Sequence, residues 1–532
     1  MSSGVGASMT SMIDRLTPRR EGDRPTRRRG HLVVVGGGWR RGARIALLIA
    51  LGGLFAGGMT LGILRFLNVI VRLAAIPPEL VGLVIAIALP VAALVMIALF
   101  VIPVHVIPTI ALVILTLAPT RFIPSDGPFN ALPPLAILMG IWVFRRLVLG
   151  QTPAENLPTD GEHRPMGPRF AIGAIAVLLL FWLIVSTALE GGSDTTVGWT
   201  LAFAVSVLMP LLVPNARAEA RLLAQVVLVI GVLVGIYLLI EMVLKFSPVY
   251  GAPTEEFEFS VYRARAAFSH PLFAAAFMTI PASIGIGAWL QSGKLWPLFA
   301  GAISVGGVVA TVSRGSVAGV GVAVAFALLL APLFLGWKNI SRWAQLLVVS
   351  AIGAVVVLNA GPLVERSDSI ESQISADVRD RAVDVAFRAA DLSGWIGTGP
   401  GTSGITSRLF DTIIIENSIL QLLISIGIPG LILFALFMTA LIWQACTRGN
   451  LSVILAMVAY VVALAGFNSI DAVRTMHILL GFLVIMAVHG RGDDAARWGR
   501  RPDAREAAFE PRDLANTAPL EPLAPEPVLR RG

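Results

Sequence analysis

The sequence predicts an all-α fold: a polytopic transmembrane helical bundle of about 12–14 spans, with one large external loop that carries short amphipathic helices. Three observations lead there. Hydrophobic residues make up 56% of the 532 and charged residues only 14%, against about 25% charged in an ordinary soluble chain. The mean hydropathy is +0.80. The apolar residues also fall in runs close to the length that a helix needs to cross a bilayer, about 20 residues. A water-soluble chain of this length would divide into several domains. This one has too little polar surface to cover them, and the soluble classes are excluded.

In chain order, spans are expected at 45–64, 80–101, 103–119, 131–149, 170–189, 196–214, 222–244, 268–290, 295–312, 316–336, 344–360, 417–443, 451–467 and 472–489. Pro90, Pro103 and Pro108 interrupt the second and third, for which a re-entrant pair is the alternative. The domain plan follows: a basic tail at 1–44, a bundle of about eleven spans over 45–360, a large loop at 361–416 and the last three spans within 417–490. The tail at 491–532 is rich in Pro, Ala, Arg and Glu and reads as disordered. The ten arginines of 1–44 extend far beyond the n-region of a cleavable signal.

Charge sets the orientation. With 1–44 cytoplasmic, alternation puts Arg145, Arg146, Arg164, Arg169, Arg217, Arg221, Lys294, Lys338, Arg342 and Arg448 on the same side. The second tail adds eight arginines there, so most of the 41 lysines and arginines lie inside. The net charge of +8 is therefore read as topology and attraction to anionic lipid, not as nucleic-acid binding. Cys446 is the only cysteine, which excludes an intramolecular disulfide and a cysteine metal cluster. The sequence shows no P-loop and no His/Asp/Glu set with metal spacing, so neither a metal nor a cofactor is expected.

The external side carries the candidate chemistry. Its two substantial loops are 245–267 and 361–416. Within the second, Val378, Ala382, Val385, Ala386 and Ala389 recur near a 3.6 period, which predicts an amphipathic helix at 377–392 lying on the membrane surface. Arg263, Arg265, Arg314, Arg379 and Arg381 stand on the side from which basic residues are normally depleted. Snorkelling, or pairing with Glu255, Glu256 and Glu258, would account for them. So would an anion site, because guanidinium groups bind phosphate bidentately and keep their charge. Glu416 opens a span, where a carboxylate either offsets the helix dipole or acts as a general base. Asn417 and Ser418 beside it are cap residues. His270 opens another span as an interfacial polar residue, whereas His105 and His477 read as buried packing residues. The run Gly397-Thr398-Gly399-Pro400-Gly401-Thr402-Ser403-Gly404 contains GxGxxG but stands in no βαβ unit, so it is read as a turn toward the membrane.

Four of these segments together resemble the O-antigen ligase and polysaccharide polymerase superfamily of bacterial inner membranes. Arg263 to Pro271 resembles an Arg-x-x-Gly-x-Phe-x-x-Pro segment. Thr311-Val312-Ser313-Arg314-Gly315 resembles a Ser-Arg-Gly turn. Arg379 through Gly397-Thr398-Gly399-Pro400-Gly401 resembles an amphipathic helix that begins with Arg and ends in Gly-x-Gly. Glu416-Asn417-Ser418-Ile419-Leu420-Gln421 with Gly427-Ile428-Pro429-Gly430 resembles the family's His/Asp-Asn-Ser helix start. The resemblance covers roughly 263–430, about a third of the chain. Two departures stand out: Glu416 where the ligases carry His, and Ala266 where Gly is common.

The resemblance implies a metal-independent, inverting glycosyltransferase. It would move a glycan from a polyprenyl-diphosphate carrier to a sugar hydroxyl at the periplasmic face of the inner membrane, with both termini cytoplasmic. Its partners would be the lipid-linked glycan, an acceptor glycan or lipid A core, the bilayer, and a chain-length regulator or flippase. Arg263 and Arg379 would neutralise the diphosphate and Glu416 would be the base. Arg265, Arg314, Arg381, His270 and Asn417 would bind substrate. Glu416 in place of His favours a polymerase over a ligase. A flippase or secondary transporter would need charged residues along a path through the spans, for which Glu241 is the main acidic candidate. A non-catalytic part of an export complex is the remaining reading.

Overall fold

A computed structural model of the chain describes residues 100–118, 132–153, 167–251, 261–335, 340–359, 370–492 and 494–496, with single positions at 361 and 364. The expected span 45–64, nearly all of 80–101, the tail 1–44, most of the tail 491–532, and Arg164, Glu255, Glu256, Glu258 and Lys338 lie outside the described residues.

Among the described residues the fold is all-α, a polytopic helical bundle without a strand. The helices are α1 (Ile107–Leu117), α2 (Pro134–Leu147), α3 (Gly167–Leu189), α4 (Asp194–Phe203), α5 (Arg217–Leu244), α6 (Pro271–Ser292) and α7 (Leu295–Ala310). There follow α8 (Arg314–Leu335), α9 (Ile340–Leu358), α10 (Ile370–Leu392), α11 (Ser403–Ser407), α12 (Ser418–Thr447), α13 (Leu451–Leu464) and α14 (His477–His489). Helix α4 runs on through a π turn, Ala204–Leu208, and a 3-10 turn, Met209–Leu212, where Pro210 has no N–H to continue an α ladder. Counting that continuation, seven of the helices are long and apolar enough to cross a membrane: α3, α4, α5, α6, α8, α9 and α12. Helix starts follow from local chemistry. Ser193, Asn417 and Asn450 each accept a backbone N–H at the start of α4, α12 and α13.

Helix α6 is the pillar of the bundle. It packs against α5, α7, α8 and α13, and every residue from Pro271 to Leu290 is buried. Its composition permits this. A Cβ on Gly285 would stand 2.6 Å from the Cα of Gly301, so α6 and α7 meet backbone to backbone, the contact that small residues allow between membrane helices. Gly285→Val should therefore force α7 outward and cost about 1–3 kcal/mol, the usual penalty of overpacking. Thermal unfolding in detergent measures this, and an unchanged midpoint would show that the α6–α7 seam is slack.

The far end of the bundle is closed by buried charge. Arg145 and Arg146, near the end of the expected span 131–149, stand at the last turn of α2, both buried. Arg145 donates to the carbonyls of Ile102 (2.8 Å) and Phe100 (3.0 Å). Arg146 donates to those of Pro214 (2.8 Å) and Asn215 (3.0 Å) and pairs with Glu219 at 3.3 Å. Trp142 Nε1 donates to the same Glu219 oxygen at 3.3 Å. The multiple N–H groups of a guanidinium explain why it can sit among helix ends whose carbonyls need donors.

Candidate functional site

A cavity of about 310 Å³ opens where α6, α8 and α12 begin and α13 ends. Three charged side chains reach it: Arg314, Arg379 and Glu416. Leu272 and Val462 form its apolar wall, and Gly315, Ala465 and Gly466 its floor. A Cβ on Gly466 would lie 3.3 Å from the Cα of Gly315, so the floor is largely backbone.

Each charged residue is held by its element. Arg314 is the first residue of α8 and follows a tight turn in which Val312 has φ +53° and Ser316 N donates to Ser313 Oγ at 3.5 Å. Arg263 braces that turn from behind. It is buried, its Nε donates to Thr311 O at 3.2 Å, and Ala264 N donates to Ala310 O at 3.2 Å. Glu416 precedes the cap of α12, where Asn417 Oδ1 accepts from Ile419 N at 2.9 Å and Leu420 N at 3.2 Å. Ser418 fastens that helix start to the loop after α13: its hydroxyl donates to Phe467 O, and its oxygen accepts from Ser469 N at 2.8 Å.

Arg379 is carried by α10, and here the structure corrects an expectation. The apolar stripe at Ala382, Val385, Ala386 and Ala389 does not lie on a membrane surface. It packs with Ile415 and Ile424 and against Phe410, Ile413 and Leu420. Periodicity reveals that a face is buried, not what buries it.

The structure brings Arg314, Arg379 and Glu416 together and places the other candidates elsewhere. Arg263 lies behind the turn and does not line the cavity. Arg265 turns away, with its guanidinium on Gly251 O (2.6 Å) and Phe268 O (3.4 Å). Arg381 faces Asp411 at 3.6 Å on an exposed surface. His270 caps α6, its Nδ1 accepting from Leu272 N at 3.2 Å, and Asn417 caps α12. Glu241 is fully buried in α5 and holds the 262–266 segment. It accepts from Tyr262 Oη (3.0 Å), Arg265 N (3.2 Å) and Ala266 N (2.9 Å). Burial and then the Glu241 charge push the Tyr262 phenol up, so it stays a donor. Ala266 has φ +50°, the left-handed conformation that favours glycine, and it occupies the position where the resembling segment carries Gly.

The run 397–404 has a structural task that its motif did not reveal. Helix α12 is broken at Gly427, with φ 66° and ψ −176°. Pro429 has no N–H for Ser425 O, and Gly399 N takes that carbonyl at 2.9 Å. Ile424 O accepts Thr398 N at 2.8 Å, and Ile428 N donates to Trp395 O at 3.0 Å. Ile426 O accepts Trp182 Nε1 at 2.8 Å. A Cβ on Gly397, which has φ +103°, would stand 2.6 Å from Gly427 N. The glycine run thus completes the broken helix, as irregular backbone in a membrane protein requires.

Asp471 locks this assembly and was missed from sequence. It is 3% exposed. It accepts from Gly401 N (3.0 Å), Ser403 N (3.2 Å), Ser425 Oγ (2.8 Å) and Ser403 Oγ. Burial pushes its carboxyl above the usual carboxylate range, and these donors pull it back. A usable signal was present: Ser418, Gln421 and Ser425 recur at three- and four-residue steps on one face of α12 and call for polar partners.

Chemically, the cavity offers two permanent cations and one carboxylate within reach of solvent. Among the described residues no group of three His, Cys, Asp or Glu side chains could hold a metal ion. No protein-family model matches the chain, and no curated protein matches it.

Proposed function

We propose that the chain is a polysaccharide polymerase of the bacterial inner membrane. It transfers glycan repeat units from a polyprenyl-diphosphate carrier to a sugar hydroxyl at the periplasmic face. The observation that carries this reading is the meeting of Arg314, Arg379 and Glu416 in one cavity at one end of an apolar helical bundle. The resemblance of the segments that supply them adds to it.

The chemistry follows from the three groups. The acceptor hydroxyl attacks the anomeric carbon from the face opposite the diphosphate and gives its proton to Glu416. The glycosidic C–O bond to phosphate breaks, and its electron pair leaves with the lipid diphosphate. Arg314 and Arg379 meet the charge that develops there. Arg314 takes the role first given to Arg263, which becomes a positioning residue acting through the Thr311 turn. In this reading the cavity is periplasmic and both termini are cytoplasmic. Glu241 donates nothing to a transport path in this reading, because its oxygens are spent on the 262–266 segment.

A deletion strain complemented with variants tests the proposal by sizing its surface and secreted glycans on a gel. The deletion should lose long chains and keep single repeat units on their acceptor. Arg379→Ala and Glu416→Gln should each lower output by about a hundredfold or more, the usual loss when a transition-state partner is removed. Long polymer that forms but never reaches lipid A would indicate a ligase instead. Full-length polymer at normal yield from both variants would sink the site.

A further inference from the structure

We infer that α10 and the segment after it rest in the outer layer of the bilayer through an apolar edge distinct from the packed stripe. This edge is Val383, Phe387, Trp395 and Ile396, and its partner is the lipid leaflet on the cavity side. The inference is independent of the proposed reaction.

Exposure defines the edge. Phe387 is 48% exposed and Ile396 45%, with Val383 similar. Val383 and Phe387 are one turn apart, so they share a side of α10. Phe387 meets Trp395 edge to face with ring centres 5.7 Å apart. Single exposed hydrophobic residues are ordinary, but a contiguous set calls for a partner.

Continuity identifies that partner. Ile428 N donates to Trp395 O at 3.0 Å, which seats Trp395 and Ile396 against the break in α12. From Ile428 the exposed side of α12 continues through Ile432 and Leu436 at four-residue steps, with Ile432 54% exposed. Helix α12 is one of the seven helices long and apolar enough to span a membrane, so its exposed apolar stripe faces hydrocarbon. The α10 edge adjoins that stripe where Ile428 bonds Trp395. Trp395 stands at the junction, where a ring with one apolar and one polar end is favoured.

The charges agree. Asp384 and Arg388 pair with each other on the exposed part of α10, one position beyond Val383 and Phe387. An interfacial helix sinks its apolar edge by about 5–10 Å and leaves such a face in water.

The test uses the full chain in lipid nanodiscs, in a Cys446→Ser background. Single cysteines replace Phe387, Ile396, Ile432 or Asp384 and carry an environment-sensitive fluorophore. Labels at 387 and 396 should behave like the one at 432: blue-shifted, losing most of their emission to lipids with a nitroxide on the upper acyl chain, and shielded from iodide. The label at 384 should lose its emission to iodide. Iodide quenching at 387 and 396 overturns the inference. Shielding from both quenchers also overturns it, because a protein partner or a second copy would then cover the edge. Should Phe387→Cys fail to fold, Val383→Cys reads the same edge.

Discussion

Asp471→Ala is expected to unlock the loop that completes α12. Four donors converge on this carboxylate in a place closed to solvent: two backbone N–H groups and two serine hydroxyls. The hydroxyls can rotate to other acceptors. Ser403 N keeps Ser425 Oγ as an acceptor at 3.0 Å, but the N–H of Gly401 cannot turn elsewhere, and a buried orphan costs about 1–3 kcal/mol. The expected loss is about 1–3 kcal/mol for that orphan, with the freed serine hydroxyls adding to it. Asp471→Asn should cost nearly as much, because its amide turns a donor toward donors. Thermal unfolding in detergent gives the size, and limited proteolysis of 393–404 gives the place. An unchanged midpoint with an uncut loop would show that Asp471 holds nothing.

The second large effect lies at the opposite end of the bundle. Arg146→Ala removes the 3.3 Å ion pair with the buried Glu219 and the donor to Pro214 and Asn215. The expected loss is about 3–5 kcal/mol. Arg146→Leu combined with Glu219→Leu should recover much of it, because no uncompensated charge remains. A double-mutant cycle on unfolding midpoints measures the coupling. A single variant no less stable than the double would mean that the pair contributes nothing beyond packing.

The sequence made the bundle legible because lipid imposes one rule, long apolar runs, on every span. Runs such as 222–244 and 417–443 correspond to α5 and α12 with ends displaced by a few residues. Features set by tertiary partners were not legible. A composition window passes over Gly427 because the residues around it are as apolar as any others. The break shows only once Trp395, Thr398 and Gly399 are placed beside it. The last expected span, 472–489, yields an α-helix only from His477, since Asp471 and its neighbours serve the glycine loop.

The candidate site divides along the same line. Charge type and the expected side of the membrane gave the pool of candidates, and three of them line one cavity. Sequence could not say which way an arginine points. Thr311 O draws Arg263 inward, Gly251 O draws Arg265 away, and Asp411 holds Arg381 at the surface. Each of those partners is distant in sequence or lies in a turn whose shape the pattern does not encode.

The break in α12 also bears on how the chain is assembled. A helix with open carbonyls at Ile424, Ser425 and Ile426 would be costly to leave in hydrocarbon, where each unmet group costs several kcal/mol. All of the groups that meet those carbonyls, Trp182, Thr398 and Gly399, precede α12 in the chain. Synthesis from the N-terminus therefore makes the receptor before the helix that needs it. Helix α12 can close its gap on arrival, and no later segment has to return to repair it.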